Sequence, residues 1–301
     1  MKQLFTKLSK DFVANQDIRD NSRALYLRIL NQFAKWVVIT GRNIKGLKRS
    51  DVIEYKSTLL REEKSENTID SYLTVVRMFF EYCEAIGEHE NIAAGIKIKH
   101  KRIGYRKSHL SIDEISSLYS VIGTETVSGK RDYALINLML RSGIRCVEAS
   151  RLRVCDVSMY DGKCSILIQR KGDNERTERL GLTNKAIQPV MDYISFRGVS
   201  DRSEYVFLTH CTTGEHPLTA KGISKIVTGY MKMAGVYSKQ KTAHSLRHTA
   251  AVQAIMNKVP IKEVQLMLGH RRVETTEIYL KSIDEDLRLD NPAVRALDDA
   301  F

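Results

Sequence analysis

Four residues near the end of the chain have the side chains and the spacing needed to attack a phosphodiester. His244 and Arg247 lie three residues apart at the start of a run with helical apolar spacing, so both project from one face of a helix. His270 follows a Leu-Gly pair, and Tyr279 comes nine residues later. A phenol close to arginine and histidine donors is a candidate nucleophile, because such donors stabilise the charge that develops on phosphoryl oxygens.

Zinc binding is the alternative for the same histidines. His244 and His248 are four residues apart, as in a His-Glu-x-x-His helix, and His270 could be a third ligand. However, Ser245 stands where that motif has a glutamate, and Arg247 beside the site would repel a dication. The pattern therefore favours phosphodiester chemistry, with His248 in a structural role and no bound metal.

The ordered motifs resemble those of the tyrosine recombinase (phage integrase) family. That family has a His-x-x-Arg motif, then Leu-Gly-His, then a nucleophilic tyrosine, and all three occur here in order. Upstream, Ser-Gly-Ile-Arg-x-x-Glu resembles the family's first motif, and a Lys-Gly pair follows Arg170 on a predicted hairpin where the family has a catalytic lysine. The resemblance implies a catalytic set of six residues: Arg145, Lys171, His244, Arg247, His270 and Tyr279.

Three of these residues suit a negatively charged phosphate. Arg145 and Arg247 are the bidentate candidates, because a guanidinium matches phosphate geometry and stays charged. His270 would add a further hydrogen bond. Glu148, one helical turn after Arg145, could hold that guanidinium in place or form an ordinary helix pair with it.

The other three residues suit proton transfer and attack. Tyr279 must lose its proton as it attacks, and His244 is the plausible acceptor. The resemblance leaves Lys171 to protonate the departing 5′ oxygen and implies a 3′-phosphotyrosyl intermediate. Such an intermediate keeps the energy of the broken ester, so rejoining requires neither metal nor ATP. This agrees with the lack of a nucleotide-binding loop in the sequence.

The function implied is site-specific DNA recombination, by integration of a mobile element, excision, inversion or resolution. The implied partner is double-stranded DNA with paired sites, bound by a homotetramer, with no cofactor. A type IB topoisomerase, which shares the chemistry, and a DNA-binding module without catalysis are the alternatives. The six catalytic residue types are all present, which disfavours the inert module.

Composition agrees with a nucleic-acid partner in the cytoplasm. The formal net charge of +12 in a chain of 301 residues implies a polyanionic partner. No apolar run approaches the ~20 residues of a membrane span, and the amino terminus has no apolar signal segment. The five cysteines form no Cys-x-x-Cys pair, which is typical of reduced thiols in a cytoplasm.

The amino-terminal hundred residues show helical patterns, with helices predicted to begin at Ser22, Ser50 and Asn67. These patterns predict a helical domain over residues 1–100, and the resemblance implies that it is the family's core-binding domain, which binds DNA. Residues 101–108 form a predicted linker within a segment that lacks carboxylates. The cations of this segment, which runs from Glu90 to Asp113, are expected to contact phosphate. Those assigned to DNA binding are Lys97, Lys99, Lys101 and Arg102.

The remaining residues, 109–301, form the predicted catalytic domain. Ser111 and Glu114 predict a capping box, and an apolar helix over 132–141 is its expected centre. Alternating segments at 157–159, 164–169 and 176–182 predict a three-stranded antiparallel meander. The fold class is thus mainly α with a small β-meander. The acidic tail, with an apolar stripe ending at Phe301, is expected to contact a neighbouring subunit.

Overall fold

The computed structural model of the chain describes residues 2–97, 108–160, 163–170, 173, 175–210, 214–281 and 283. The chain divides into two compact units, Met1–Arg102 and Ile103–Phe301. Lys97 is described and exposed, but Lys99, Lys101, Arg102, Lys171 and the tail after Ile283 lie outside the described residues. The predicted domain limits of 100 and 109 and the predicted contact role of the tail stay predictions.

Four α-helices form the described part of the first unit: α1 Lys2–Ala14, α2 Asp20–Ile39, α3 Arg49–Arg61 and α4 Glu66–Ala85. They enclose an aromatic core in which the Phe33 and Tyr55 ring centroids lie 4.9 Å apart, edge to face. Phe12 meets Phe79 in the same way at 5.9 Å. These rings come from all four helices, so burial of the aromatic side chains holds the bundle together.

Three predicted helix starts were slightly late, and one helix was not predicted. Helix α2 begins at Asp20, and α3 begins at Arg49. Helix α4 begins at Glu66 because the hydroxyl of Ser65 accepts a hydrogen bond from the Thr68 amide. Helix α1 lacks a sequence cap, yet it buries Phe5, which is 2% exposed. Tertiary burial rather than local signals therefore fixes its position.

The second unit begins with three helices: α5 Ile112–Ser120, α6 Val127–Ser142 and α7 Cys146–Arg151. The predicted capping box is present at α5, since Ser111 and Glu114 exchange side-chain to backbone hydrogen bonds. Helix α6 is buried along most of its length and packs against later helices on several sides. It ends at Gly143, whose φ of +66° suits glycine and turns the chain toward Arg145.

A small antiparallel sheet follows, with strands β1 Val157–Tyr160, β2 Lys163–Ile168 and β3 Glu178–Gly181 in the order β1-β2-β3. Ser158 pairs with Ser165, and Ile168 at the end of β2 pairs with Glu178 at the start of β3. The predicted meander is confirmed, as is the fold class, mainly α with one small sheet. The register brings Arg170, just beyond β2, close to Glu178.

Five helices complete the unit: α8 Asn184–Arg197, α9 Ala220–Met233, α10 Ala243–Met256, α11 Ile261–Leu268 and α12 Glu274–Lys281. The last three share an apolar cluster that includes Val252, Val264 and Tyr279. Helix α11 ends at Gly269 with a φ of +62°, which places His270 on a tight turn. No described helix is both long and apolar enough to cross a membrane.

Candidate active site

Arg247 lies at the centre of the candidate site and is only 1% exposed. Its Nη1 donates to the Gly143 carbonyl at 2.6 Å, and its Nη2 donates to the Leu268 carbonyl at 2.7 Å. Both carbonyls lie at helix ends, where no backbone N–H of the same helix donates a hydrogen bond to them. Burial lowers the pKa of Arg247 to about 10, with a further contribution from Arg145, so the guanidinium stays charged at neutral pH.

His270 is fixed by both ring nitrogens. Nε2 lies 2.8 Å from Nη2 of Arg247, and Nδ1 lies 2.8 Å from Oγ1 of Thr276. A guanidinium only donates, so Nε2 accepts, and Nδ1 carries the proton and donates to Thr276. Burial lowers the pKa of His270 to about 4, with the charges of Arg247 and Arg145 contributing next. The imidazole is therefore neutral at pH 7.

Tyr279 lies on α12 and is 4% exposed. Its ring is stacked on His270 with centroids 6.1 Å apart and faces His248 at 5.0 Å. A hydrogen bond joins its hydroxyl to the side chain of Arg247. The predicted nucleophile thus lies beside two of the predicted phosphate ligands. The helix that carries it was not predicted, because the segment after His270 is short and lacks apolar periodicity.

Arg145 and Glu148 form the predicted pair at the start of α7. Nη1 of Arg145 lies 2.7 Å from Oε1 of Glu148, and the backbone N–H of Arg145 donates to Oε2 at 2.8 Å. The Glu148 side chain is fully buried, whereas that of Arg145 is 26% exposed. The carboxylate therefore holds one edge of the guanidinium and leaves the rest accessible to a ligand.

His244 lies on the first turn of α10 and is exposed, one turn from Arg247. It is one of the groups that lower the pKa of His270, after burial and the guanidiniums of Arg247, Arg145 and Arg170. His244 therefore lies close enough to the cluster to influence it electrostatically. Lys171 cannot be placed among these residues, because it lies outside the described part of the chain.

The histidines do not form a metal site in the described chain. No group of three or more His, Cys, Asp or Glu side chains there is arranged to hold a metal ion. His248 is fully buried, with its ring 5.8 Å from that of His109 and 5.0 Å from that of Tyr279. His270 directs Nε2 at a guanidinium. These contacts are those of packing and hydrogen-bonding residues, not of zinc ligands.

Arg170 is the site residue that sequence reasoning undervalued. In the sequence it is only the residue that precedes Lys171, yet its side chain is buried and the residue is 6% exposed. Its Nε and Nη2 lie 2.6 and 2.5 Å from the two carboxylate oxygens of Glu178. This contact lowers the pKa of Glu178, so both partners are charged at neutral pH. The available signal was an arginine just after β2 facing a glutamate at the start of β3.

Comparison with known proteins identifies the family of the chain. Residues 108–286 match the model of the phage integrase family, and residues 8–87 match that of the phage integrase N-terminal SAM-like domain. Tyrosine recombinase XerD of Listeria monocytogenes serovar 1/2a is 28% identical over 288 residues, covering 93% of this chain and 94% of XerD. A tyrosine recombinase of Thermosipho africanus is also 28% identical, covering 93% of this chain and 95% of the relative.

Solved structures show the same fold. XerH site-specific recombinase in a post-cleavage complex with palindromic difH substrate has a TM-score of 0.70 at 20% identity, covering 96% of this chain and 94% of that chain. A lambda integrase tetramer bound to a Holliday junction has a TM-score of 0.71 at 14% identity, covering 92% of this chain and 76% of that chain.

The fold and the similarities together define a tyrosine recombinase, an enzyme of site-specific DNA recombination, with Xer-like architecture. The chain belongs to the phage integrase family. The predicted family, fold class and enzyme class are confirmed. The similarities give no support to a topoisomerase or to an inert DNA-binding module.

Proposed function

We propose that Tyr279 attacks the scissile phosphodiester of a recombination site and forms a 3′-phosphotyrosyl bond, releasing a 5′ hydroxyl. The observation that supports this most directly is the hydrogen bond between the Tyr279 hydroxyl and Arg247 inside a buried cationic cluster. In-line attack gathers negative charge on the non-bridging oxygens, and charges already in position stabilise it without reorganisation. The attack therefore occurs beside the guanidinium that binds the phosphate.

Arg145 and Arg247 are the proposed bidentate ligands of that phosphate. Within the described chain, the buried Nε of Arg247 has no hydrogen-bond partner, and Arg145 keeps one edge open. Both guanidiniums thus have donors to offer an anion. We assign Glu148 a positioning role, since its carboxylate accepts hydrogen bonds from both the guanidinium and the backbone N–H of Arg145.

His270 must change its protonation to donate to phosphate. Without DNA, its Nε2 accepts from Arg247, and the surrounding cations hold its pKa at about 4. A bound phosphate places negative charge beside the ring, which raises the imidazole pKa. We propose that His270 gains a proton at Nε2 when DNA binds and then donates to a non-bridging oxygen. His244 accepts the Tyr279 proton, and Lys171 protonates the 5′ oxygen.

The proposed substrate is double-stranded DNA with paired sites, bound by a homotetramer. A lambda integrase tetramer on a Holliday junction is among the similar structures, which supports this assembly. We propose the cytoplasm as the compartment, because the proposed substrate is double-stranded DNA. Movement of a mobile element, inversion and resolution all use this same chemistry.

The test is to trap the covalent intermediate. The full chain is incubated with randomly nicked genomic DNA of its own organism, in EDTA and without ATP, then denatured. We expect protein-linked DNA that ends at a small number of discrete sites, with a blocked 3′ end and a 5′ hydroxyl that a kinase can label. Attachment only after metal or ATP is added would contradict the proposed chemistry. Attachment scattered without sequence preference would instead favour a topoisomerase.

DNA affinity should depend steeply on salt because of the cations in and just before the predicted linker. Each phosphate neutralised contributes roughly 0.9 to the slope of log K against log salt. Replacing Lys97, Lys99, Lys101 and Arg102 by alanine should therefore lower the slope by roughly 3 to 4 if all four contact phosphate. Filter binding over a salt series measures this. A control that replaces the three lysines by arginine should keep the slope, and an unchanged slope in the alanine variant would show that the segment is only solvated.

A further inference from the structure

The Arg170 side chain joins parts of the second unit that are far apart in sequence. It follows β2, its fork holds both oxygens of Glu178 on β3, and its Nη1 lies 3.4 Å from Oε2 of Glu148 on α7. Its Nη2 also lies 3.5 Å from the carbonyl of Met267 on α11. One buried guanidinium thus contacts one strand and two helices, including α7, which begins just after Arg145.

The contact with the Leu-Gly-His turn is unusually close. A Cβ atom at Gly269 would lie 2.4 Å from both Cζ and Nε of Arg170, far inside van der Waals contact. Gly269 also has a φ of +62°, which disfavours other residues. The guanidinium therefore lies against the bare backbone of the turn that presents His270, and any larger residue at 269 would displace it.

The positive charge of Arg170 also affects the net charge of the proposed phosphate site. The Glu148 carboxylate is fully buried between Arg145 on Oε1 and Arg170 on Oε2. With Arg170 present, the cluster of three arginines and two glutamates carries one excess positive charge. Without it, Glu148 would be balanced by Arg145 alone, and the cluster would be neutral. A neutral cluster is a poorer site for an anion that gains charge in the transition state.

We propose that Arg170 is a positioning residue for strand cleavage: it holds Glu148 and the Gly269 turn so that Arg145 and His270 meet the same phosphate. This inference rests on the proposed function. Arg170 itself need not touch DNA, because both of its charged partners are on the protein. Its effect is on the rate of cleavage at saturating protein rather than on DNA affinity.

The test compares variants on a nicked duplex with the sequence of a trapped site, under single-turnover conditions. Arg170→Gln should slow formation of the covalent adduct by roughly 10²-fold, since small displacements of catalytic groups have effects of that size. Arg170→Lys keeps the positive charge but lacks the forked guanidinium, and it should slow adduct formation roughly 10-fold. DNA affinity should change by less than about threefold in both. Arg179→Gln is the matched control. Arg179 is exposed and follows Glu178 on β3, so its replacement should leave the rate unchanged.

A second measurement needs no DNA. Arg170 is one of the charges that lower the pKa of His270, after burial, Arg247 and Arg145 and before His244. The His270 pKa, followed by NMR of isotope-labelled protein, should rise in Arg170→Gln and stay near about 4 in Arg170→Lys. It should not rise in Glu178→Gln, which removes an anion and keeps Arg170. A residue that only supported the fold would not produce this charge-dependent order.

The outcomes separate the two proposals. If the wild-type chain forms no adduct, the proposed function is wrong, and the positioning role of Arg170 in cleavage is wrong with it. If the wild type reacts and both Arg170 variants react equally fast, the positioning role is wrong and the proposed function stands. A rate loss fully explained by weaker DNA binding would also overturn the positioning role. Should Arg170→Gln fail to fold, Arg170→Lys against Arg179→Gln still decides the matter.

Discussion

Replacing Tyr279 by phenylalanine is expected to abolish covalent attachment of DNA while leaving DNA binding nearly unchanged. The phenolic oxygen is the atom that bonds to phosphorus, so no adduct can form without it. The ring itself is buried against His248 and His270, and phenylalanine preserves those contacts. The loss of a single hydrogen bond to Arg247 should lower stability by about 1 kcal/mol. A denaturing gel with labelled DNA measures attachment, and a native gel measures binding.

The matched control for this prediction is Tyr237→Phe. Tyr237 is 43% exposed, and its replacement removes a hydroxyl outside the site. It should form adduct at the wild-type rate. A denaturation-resistant adduct in Tyr279→Phe would assign the nucleophile to another residue. Loss of DNA binding together with the adduct would instead indicate that Tyr279 has mainly a structural role.

The sequence was sufficient to predict the local structure around three of the proposed site residues. Arg145 precedes a short helix, Arg247 stands in a helical apolar run, and His270 follows a helix-ending glycine. Each of these local patterns depends on neighbours within a few residues, so the spacing of residue types in the sequence is enough to find it. Hairpin turns and capping residues predicted the meander and helix α5 for the same reason.

Features that depend on contacts between distant segments were missed. Helix α1 is held by burial of Phe5 and Phe12 in a core from three other helices, which no local pattern reports. Arg170 and Gly269 are ninety-nine residues apart, and their mutual fit exists only once the hairpin and α11 meet. The two main-chain carbonyls that hold Arg247 are likewise invisible in a sequence.

The second large effect is expected at Arg247. Arg247→Lys should slow adduct formation by about 10³-fold, since even one lost donor to a developing oxyanion costs 10²–10³. It should also lower stability by about 2 to 4 kcal/mol. A lysine cannot reach the carbonyls of Gly143 and Leu268 together, which leaves a buried helix end without a donor. Single-turnover cleavage and thermal unfolding measure the two effects.

Arg145→Lys is the informative comparison, because the two arginines have the same proposed role in different surroundings. Arg145 is partly exposed, and the buried carboxylate of Glu148 is its charged partner, which a lysine can still reach. Its replacement should slow cleavage by about 10²-fold and change stability by less than about 1 kcal/mol. Equal stability losses in the two variants would contradict the structural role of Arg247. Wild-type cleavage by Arg247→Lys would remove Arg247 from the phosphate site, because a lysine cannot make the bidentate contact proposed there.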